Sequence, residues 1–138
     1  MKKNSDVNVA GRIISVLFFL ILVAGIYFLV NLFKGVEITP ENMAGEWKLP
    51  GSPVTYYSFG LDGTATSYEK FTGTGDVRNQ VSYTYTLESN DKGVMELTLT
   101  PEGSDTDIVI KVTSLSQAQM SVIMNGSDMC SLTRVDVF

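Results

Sequence analysis

The sequence has no histidine and a single cysteine, Cys130. A lone cysteine cannot form a disulfide within its own chain, so packing must stabilise the fold even in an oxidising compartment. Zinc sites built from cysteine and histidine are excluded within one chain. Serine or cysteine nucleophiles that rely on a histidine base are excluded as well. We therefore expect a protein that is not an enzyme and that carries no metal and no cofactor.

Basic residues are scarce in the C-terminal three quarters of the chain. From Gly35 onward there are fourteen Asp and Glu against six Lys and Arg, a formal net charge of −8. Such a surface repels nucleic acid and anionic lipid headgroups. No acidic run is long enough to read as a tail, because the carboxylates are scattered across turns. We expect no nucleic-acid partner.

Charge is absent altogether between Ile13 and Phe33, a run of twenty-one residues. At about 1.5 Å rise per residue this run makes a helix of roughly 30 Å, the thickness of the hydrocarbon core of a bilayer. The sequence therefore predicts a single transmembrane helix over residues 13–33. Lys2, Lys3 and Arg12 precede it, so residues 1–12 are expected to stay in the cytoplasm and the following domain to lie outside it.

The same run could belong to a cleaved secretory signal. A signal peptide has an apolar stretch of about 7 to 15 residues that ends in a small-x-small cleavage site. This run is longer, and a cut near Val23-Ala24-Gly25 would leave Ile26 to Phe33 as an apolar N-terminus. An uncleaved signal anchor in the cell membrane is the favoured interpretation.

A short helix is predicted in the linker, residues 34–44. Thr39 is a suitable N-cap, Pro40 suits the first helical position, and Gly45 suits the end. From Glu46 onward the periodicity changes to two, and turn signals recur about every ten residues. Eight strands are predicted: Glu46 to Leu49, Val54 to Phe59, Thr64 to Phe71, Gln80 to Glu88, Val94 to Thr100, Ile108 to Ser114, Gln119 to Asn125 and Met129 to Val135.

Alternation along these strands separates an apolar face from a polar one. The predicted core face carries Val81, Tyr83, Tyr85, Leu87, Met95, Leu97, Leu99, Ile108, Ile110, Val112, Met120, Val122 and Met124. A sheet with one apolar face can bury it by closing on itself, which also removes exposed edges. An all-β fold, an eight-stranded antiparallel up-and-down barrel over residues 45–138, is therefore preferred to a flat sheet or a two-layer sandwich.

Three short motifs resemble those of the small bacterial lipocalin-like (calycin) group. They are Gly45-Glu46-Trp47 on the first strand, Tyr56 to Phe59 before the Asp62-Gly63 turn, and Arg134 on the last strand. The resemblance implies that Gly45, Trp47 and Arg134 close one end of the barrel, with the arginine stacked on the tryptophan. With strands this short, the barrel would hold one small ligand at most.

Four tyrosines are the candidate ligand-binding residues: Tyr57, Tyr68, Tyr83 and Tyr85. Tyrosines that line a partly hollow barrel could stack on a small apolar or aromatic ligand and offer hydroxyl groups to it. The alternative is that these large side chains simply build the core. The sequence accordingly predicts an extracytoplasmic, membrane-anchored binding domain for such a ligand or for a protein of the envelope. A filled barrel that acts as a structural docking module is the alternative.

Overall fold

A computed structural model of the chain describes residues 2–135, and the side chains of residues 8–135. The chain divides into two units. The first is helix α1 (Lys2–Phe33), which begins eleven residues before the predicted span. Its segment Asn8–Phe33 has a mean hydropathy of 3.0 over its most apolar window, and none of that window is buried. By length and composition it fits a membrane anchor and a signal sequence alike.

The second unit begins at Lys34 and contains a short helix and eight strands. Helix α2 (Pro40–Met43) starts where the sequence predicts, because the Thr39 hydroxyl accepts a hydrogen bond from the Asn42 amide at 3.2 Å. The strands are β1 (Gly45–Leu49), β2 (Val54–Phe59), β3 (Thr64–Lys70), β4 (Val77–Ser89), β5 (Met95–Pro101), β6 (Ile108–Leu115), β7 (Gln119–Met124) and β8 (Asp128–Arg134).

The eight strands form a closed antiparallel barrel in sequence order, which confirms the predicted fold class. Each strand pairs with the next, and β8 pairs with β1 to close the sheet. Short polar turns enforce this order. In the β2–β3 hairpin, for example, the Asp62 carboxylate accepts hydrogen bonds from both the amide and the hydroxyl of Thr64, the local pattern by which Asp favours turns.

The inward face of the barrel follows the predicted alternation. Its most completely buried large side chains come from α2 and from five of the strands, and they are Met43, Trp47, Leu97, Leu99, Val112, Leu115, Met120 and Leu132. Ile108 is an exception, because 42% of its surface is exposed. It is the first residue of β6, at the end of the barrel where the β5–β6 loop leaves the sheet, so its placement in the core was wrong.

Strand β4 begins three residues earlier than predicted, at Val77. The register between β3 and β4 shifts between Ser67 and Glu69, and Asn79 has a positive φ of 55°. This bulge inserts an extra residue and interrupts the two-residue period. The sequence therefore lacks a regular alternation across residues 77–80, and the start of the strand was missed.

The seam between β1 and β8 is the shortest ladder described in the barrel. Its register joins Trp47 with Arg134 and Lys48 with Thr133, whereas β4 and β5 pair along the whole length from Tyr83 to Ser89. Pro50 follows β1 directly and has no N–H group with which to continue the ladder. Closure of the barrel therefore depends strongly on side chains near Arg134.

Candidate functional site

The three residues that the resemblance groups together lie close to one another. Trp47 is fully buried, and its indole N–H donates to the Met43 carbonyl of α2 at 2.8 Å. The Arg134 guanidinium lies 4.3 Å from the centre of the Trp47 ring, a cation–π contact. Arg134 also donates to the carbonyls of Ala44, Asn42 and Gln117 at 2.6, 2.7 and 2.7 Å. This cluster, hereafter the arginine clasp, ties α2, β1 and β8 together.

Gly45 belongs to the same cluster because it leaves room for the guanidinium. Its φ is +119°, and a Cβ built on it would lie 2.8 Å from Nη1 of Arg134. We expect Gly45→Ala to lower the free energy of unfolding by about 2 to 3 kcal/mol, combining backbone strain with displacement of Arg134.

Urea unfolding of the full chain, followed by Trp47 fluorescence, measures this loss. Gly73→Ala is the matched control, because Gly73 also has a positive φ, +101°, but a Cβ added to it would meet nothing within 4 Å. Strain alone predicts a loss of about 1 to 2 kcal/mol for the control. Equal losses in the two variants would mean that crowding of Arg134 contributes nothing.

Three of the four candidate tyrosines lie on the inward face. The Tyr85 hydroxyl donates to the Gly60 carbonyl at 2.6 Å, and its ring meets Phe59 edge-on at 5.5 Å. The Tyr83 hydroxyl shares a hydrogen bond of 2.9 Å with Ser67. Burial raises the pKa of Tyr57, with further contributions from neighbouring groups. These side chains are held by the protein in a mainly apolar interior.

The inward face leaves little room for a ligand beside Tyr57. The space beside Tyr57 measures about 10 Å³ and is lined by Tyr57, Phe59, Leu97, Ile110, Met120, Val122, Met124 and Leu132. A single water molecule needs about 10 to 15 Å³ on the same measure. Methionine side chains fill irregular gaps of this kind. Tyr57 therefore packs beside a space no larger than a water molecule.

Tyr68, the fourth candidate, lies on the outer face of the barrel. It pairs with Tyr56 across β2 and β3, and the two rings stack with centroids 5.0 Å apart and planes 7° apart. Its hydroxyl donates to the Glu46 carboxylate. Partial burial, that hydrogen bond and the carboxylate charge together raise the pKa of Tyr68 to about 12. Tyr68 is thus neutral and fixed, and it is separated from the inward tyrosines by the sheet.

The misplacement of Tyr68 has a simple physical origin. The inward residues of β3 are Ala65 and Ser67, which are 3% and 7% exposed. Both are small and lie beside Tyr83, which pairs with Ala65 and shares a hydrogen bond with Ser67. The hydrophobic pattern of β3 therefore indicates the wrong inward face, since Tyr68, the one aromatic residue of the strand, lies on the outside.

The outer tyrosine pair adjoins a groove of about 400 Å³. We call it the hairpin groove, and it is lined by Val54, Tyr56, Lys70, Phe71, Thr72, Gly73, Thr74 and Gly75. Phe71 holds the hairpin in place, because its amide donates to Asp76 and its carbonyl accepts from Gly75, both at 3.0 Å. The guanidinium of Arg78 lies over the Phe71 ring at 4.8 Å.

The alternation of residues along the strands did not reveal this groove. The available signal was the doublet Tyr56-Tyr57, since alternation must place one of two adjacent tyrosines outside.

Among residues 8–135, no three His, Cys, Asp or Glu side chains form a group that could hold a metal ion. No known protein family, curated protein or solved structure matches the chain.

Proposed function

We propose that this chain is a membrane-anchored, extracytoplasmic docking module with a lipocalin-like barrel. The barrel serves as a filled scaffold and binds its partner through its outer surface, without catalysis. The observation that carries the proposal is the contrast between about 10 Å³ of space beside Tyr57 and about 400 Å³ in the hairpin groove. Ligand sites typically measure about 300 to 1,000 Å³.

The anchor is supported by α1 and by the charges that flank it. Lys2, Lys3 and Arg12 lie before the apolar segment, and Glu37 and Glu41 follow shortly after it. Positive residues favour the cytoplasmic side. Six residues separate α1 from α2, so the barrel would be tethered by a short connection. The lipocalin-like assignment is supported by the contact of Arg134 with Trp47.

Native mass spectrometry of the full chain, extracted from its own host, tests the proposal. We expect a complex with a protein or polymer of the envelope that is weakened by Lys70→Glu in the hairpin groove. The matched control is Tyr83→Phe, which changes only an inward hydroxyl and should leave the complex intact.

A small apolar ligand inside the barrel is the competing candidate. It predicts a small-molecule adduct that survives Lys70→Glu and is lost when Met124→Trp fills the remaining interior space. That result would overturn the docking proposal, since it would place the ligand among the inward residues.

A further inference from the structure

We propose that the hairpin groove binds a pyranose ring of an oligosaccharide. This inference rests on the proposed function and names the ligand class of the same surface.

The hairpin groove is lined by an ordered aromatic ring, that of Tyr56. Tyr56 stacks on Tyr68 in a nearly parallel arrangement, and Tyr68 is in turn fixed by its hydrogen bond to Glu46. The face of an aromatic ring carries partial negative charge. The C–H groups of a pyranose are polarised by neighbouring oxygens and carry partial positive charge, so a sugar ring lies favourably on such a face. Because Tyr56 is already ordered, little side-chain entropy is lost on binding.

Other residues that line the groove supply polar groups. Lys70 contributes an ammonium group, and the exposed Thr72 and Thr74 contribute hydroxyls. Threonine hydroxyls both donate and accept, and lysine donates three hydrogen bonds. Sugar hydroxyls and acetamido groups need this mixture of donors and acceptors around an apolar contact.

The surroundings disfavour the other ligand classes. A polyanion is repelled by the formal charge of −8 on residues 35–138. An extended peptide usually binds by adding a strand to a free edge, but β2 is already paired with β1 on one side and with β3 on the other. An amphipathic helix needs a continuous apolar groove, and this one is interrupted by Lys70 and the threonines.

The test uses the full chain in lipid nanodiscs, because sugar-based detergents would compete for the groove. The probes are chitotetraose, cellotetraose and maltotetraose, and binding is measured by saturation-transfer NMR and by titration. We expect at least one tetrasaccharide to bind, with Tyr56→Ala weakening its affinity at least about tenfold. Tyr56→Phe keeps the ring and should stay within about threefold of the original affinity.

Two further variants test whether binding takes place in the hairpin groove. Thr74→Trp lies at an exposed position and should abolish binding by filling the groove, whereas Tyr83→Phe inside the barrel should change nothing. Circular dichroism verifies that every variant is folded. Absence of binding by all three tetrasaccharides, or binding that survives both Tyr56→Ala and Thr74→Trp, would overturn the inference. An envelope complex sensitive to Lys70→Glu would still stand, so the two proposals fail separately.

Discussion

Replacing Arg134 with alanine is expected to lower the free energy of barrel unfolding by about 3 to 5 kcal/mol. The variant loses the cation–π contact with Trp47 and three charge-assisted hydrogen bonds. It also leaves the carbonyls of Ala44 and Asn42 without this partner in a partly buried position, and unpaired buried acceptors cost about 1 to 3 kcal/mol each. For a domain of about 100 residues, such a loss lowers Tm by more than about 10 °C.

Thermal unfolding of the full chain, followed by fluorescence, measures this change directly. Trp47 is the only tryptophan in the sequence, so its emission reports on the end of the barrel that contains the arginine clasp. The original chain and the variant should be measured in the same detergent or lipid, so that any difference in Tm comes from the barrel.

Arg78→Ala provides a matched control for the Arg134 variant. Arg78 also lies over an aromatic ring, that of Phe71, and forms an ion pair with Asp76 at 3.7 Å. Both partners of this ion pair are more than half exposed, at 62% and 56%, and exposed ion pairs contribute about 0 to 1 kcal/mol. Similar losses for Arg78→Ala and Arg134→Ala would show that the carbonyl contacts of Arg134 do not stabilise the barrel.

The second large effect is expected in α1, where the double variant Leu20→Arg, Val23→Arg should release the chain from membranes. Each arginine near the centre of a span costs about 2.5 to 3.5 kcal/mol on insertion scales. Two together cost about 5 to 7 kcal/mol, which lowers the insertion equilibrium by roughly four orders of magnitude or more. The window that they interrupt has a mean hydropathy of 3.0.

Carbonate washing of isolated membranes distinguishes integral from peripheral association. We expect the original chain in the membrane pellet and the double-arginine variant in the supernatant. Leu20→Ala, Val23→Ala is the control, since it shortens the same side chains without adding charge and should remain in the pellet. If the double-arginine variant also stays in the pellet, something other than α1 attaches the protein.

The fold was predictable because its signals are local. Turn residues such as Asp62 and Asn125 mark the hairpins, and alternation on β5 and β7 reports which side of the sheet is buried. Where local signals fail, the prediction fails with them. The bulge at Asn79 hides the start of β4, and the small inward residues of β3 reverse the apparent orientation of Tyr68.

The candidate site was less predictable because it is built from contacts across the sheet. The hairpin groove combines residues of β2 with the loop that follows β3. No sequence pattern within either segment predicts that the two come into contact. The stacking of Tyr56 on Tyr68 likewise depends on the register of two strands. The contact between Trp47 and Arg134 could be predicted only from the resemblance to the lipocalin-like group, since the two residues lie at opposite ends of the domain's sequence.

The long separation of the residues that meet in the arginine clasp also sets the order of events during folding. Ala44 and Arg134 are ninety positions apart in sequence, so the last strand must be made before the first strand gains its second neighbour. Until β8 is available, the other strands can form only an open sheet with two unpaired edges. The barrel can close only after β8 has been made, and until then the open sheet is vulnerable to proteases and to aggregation.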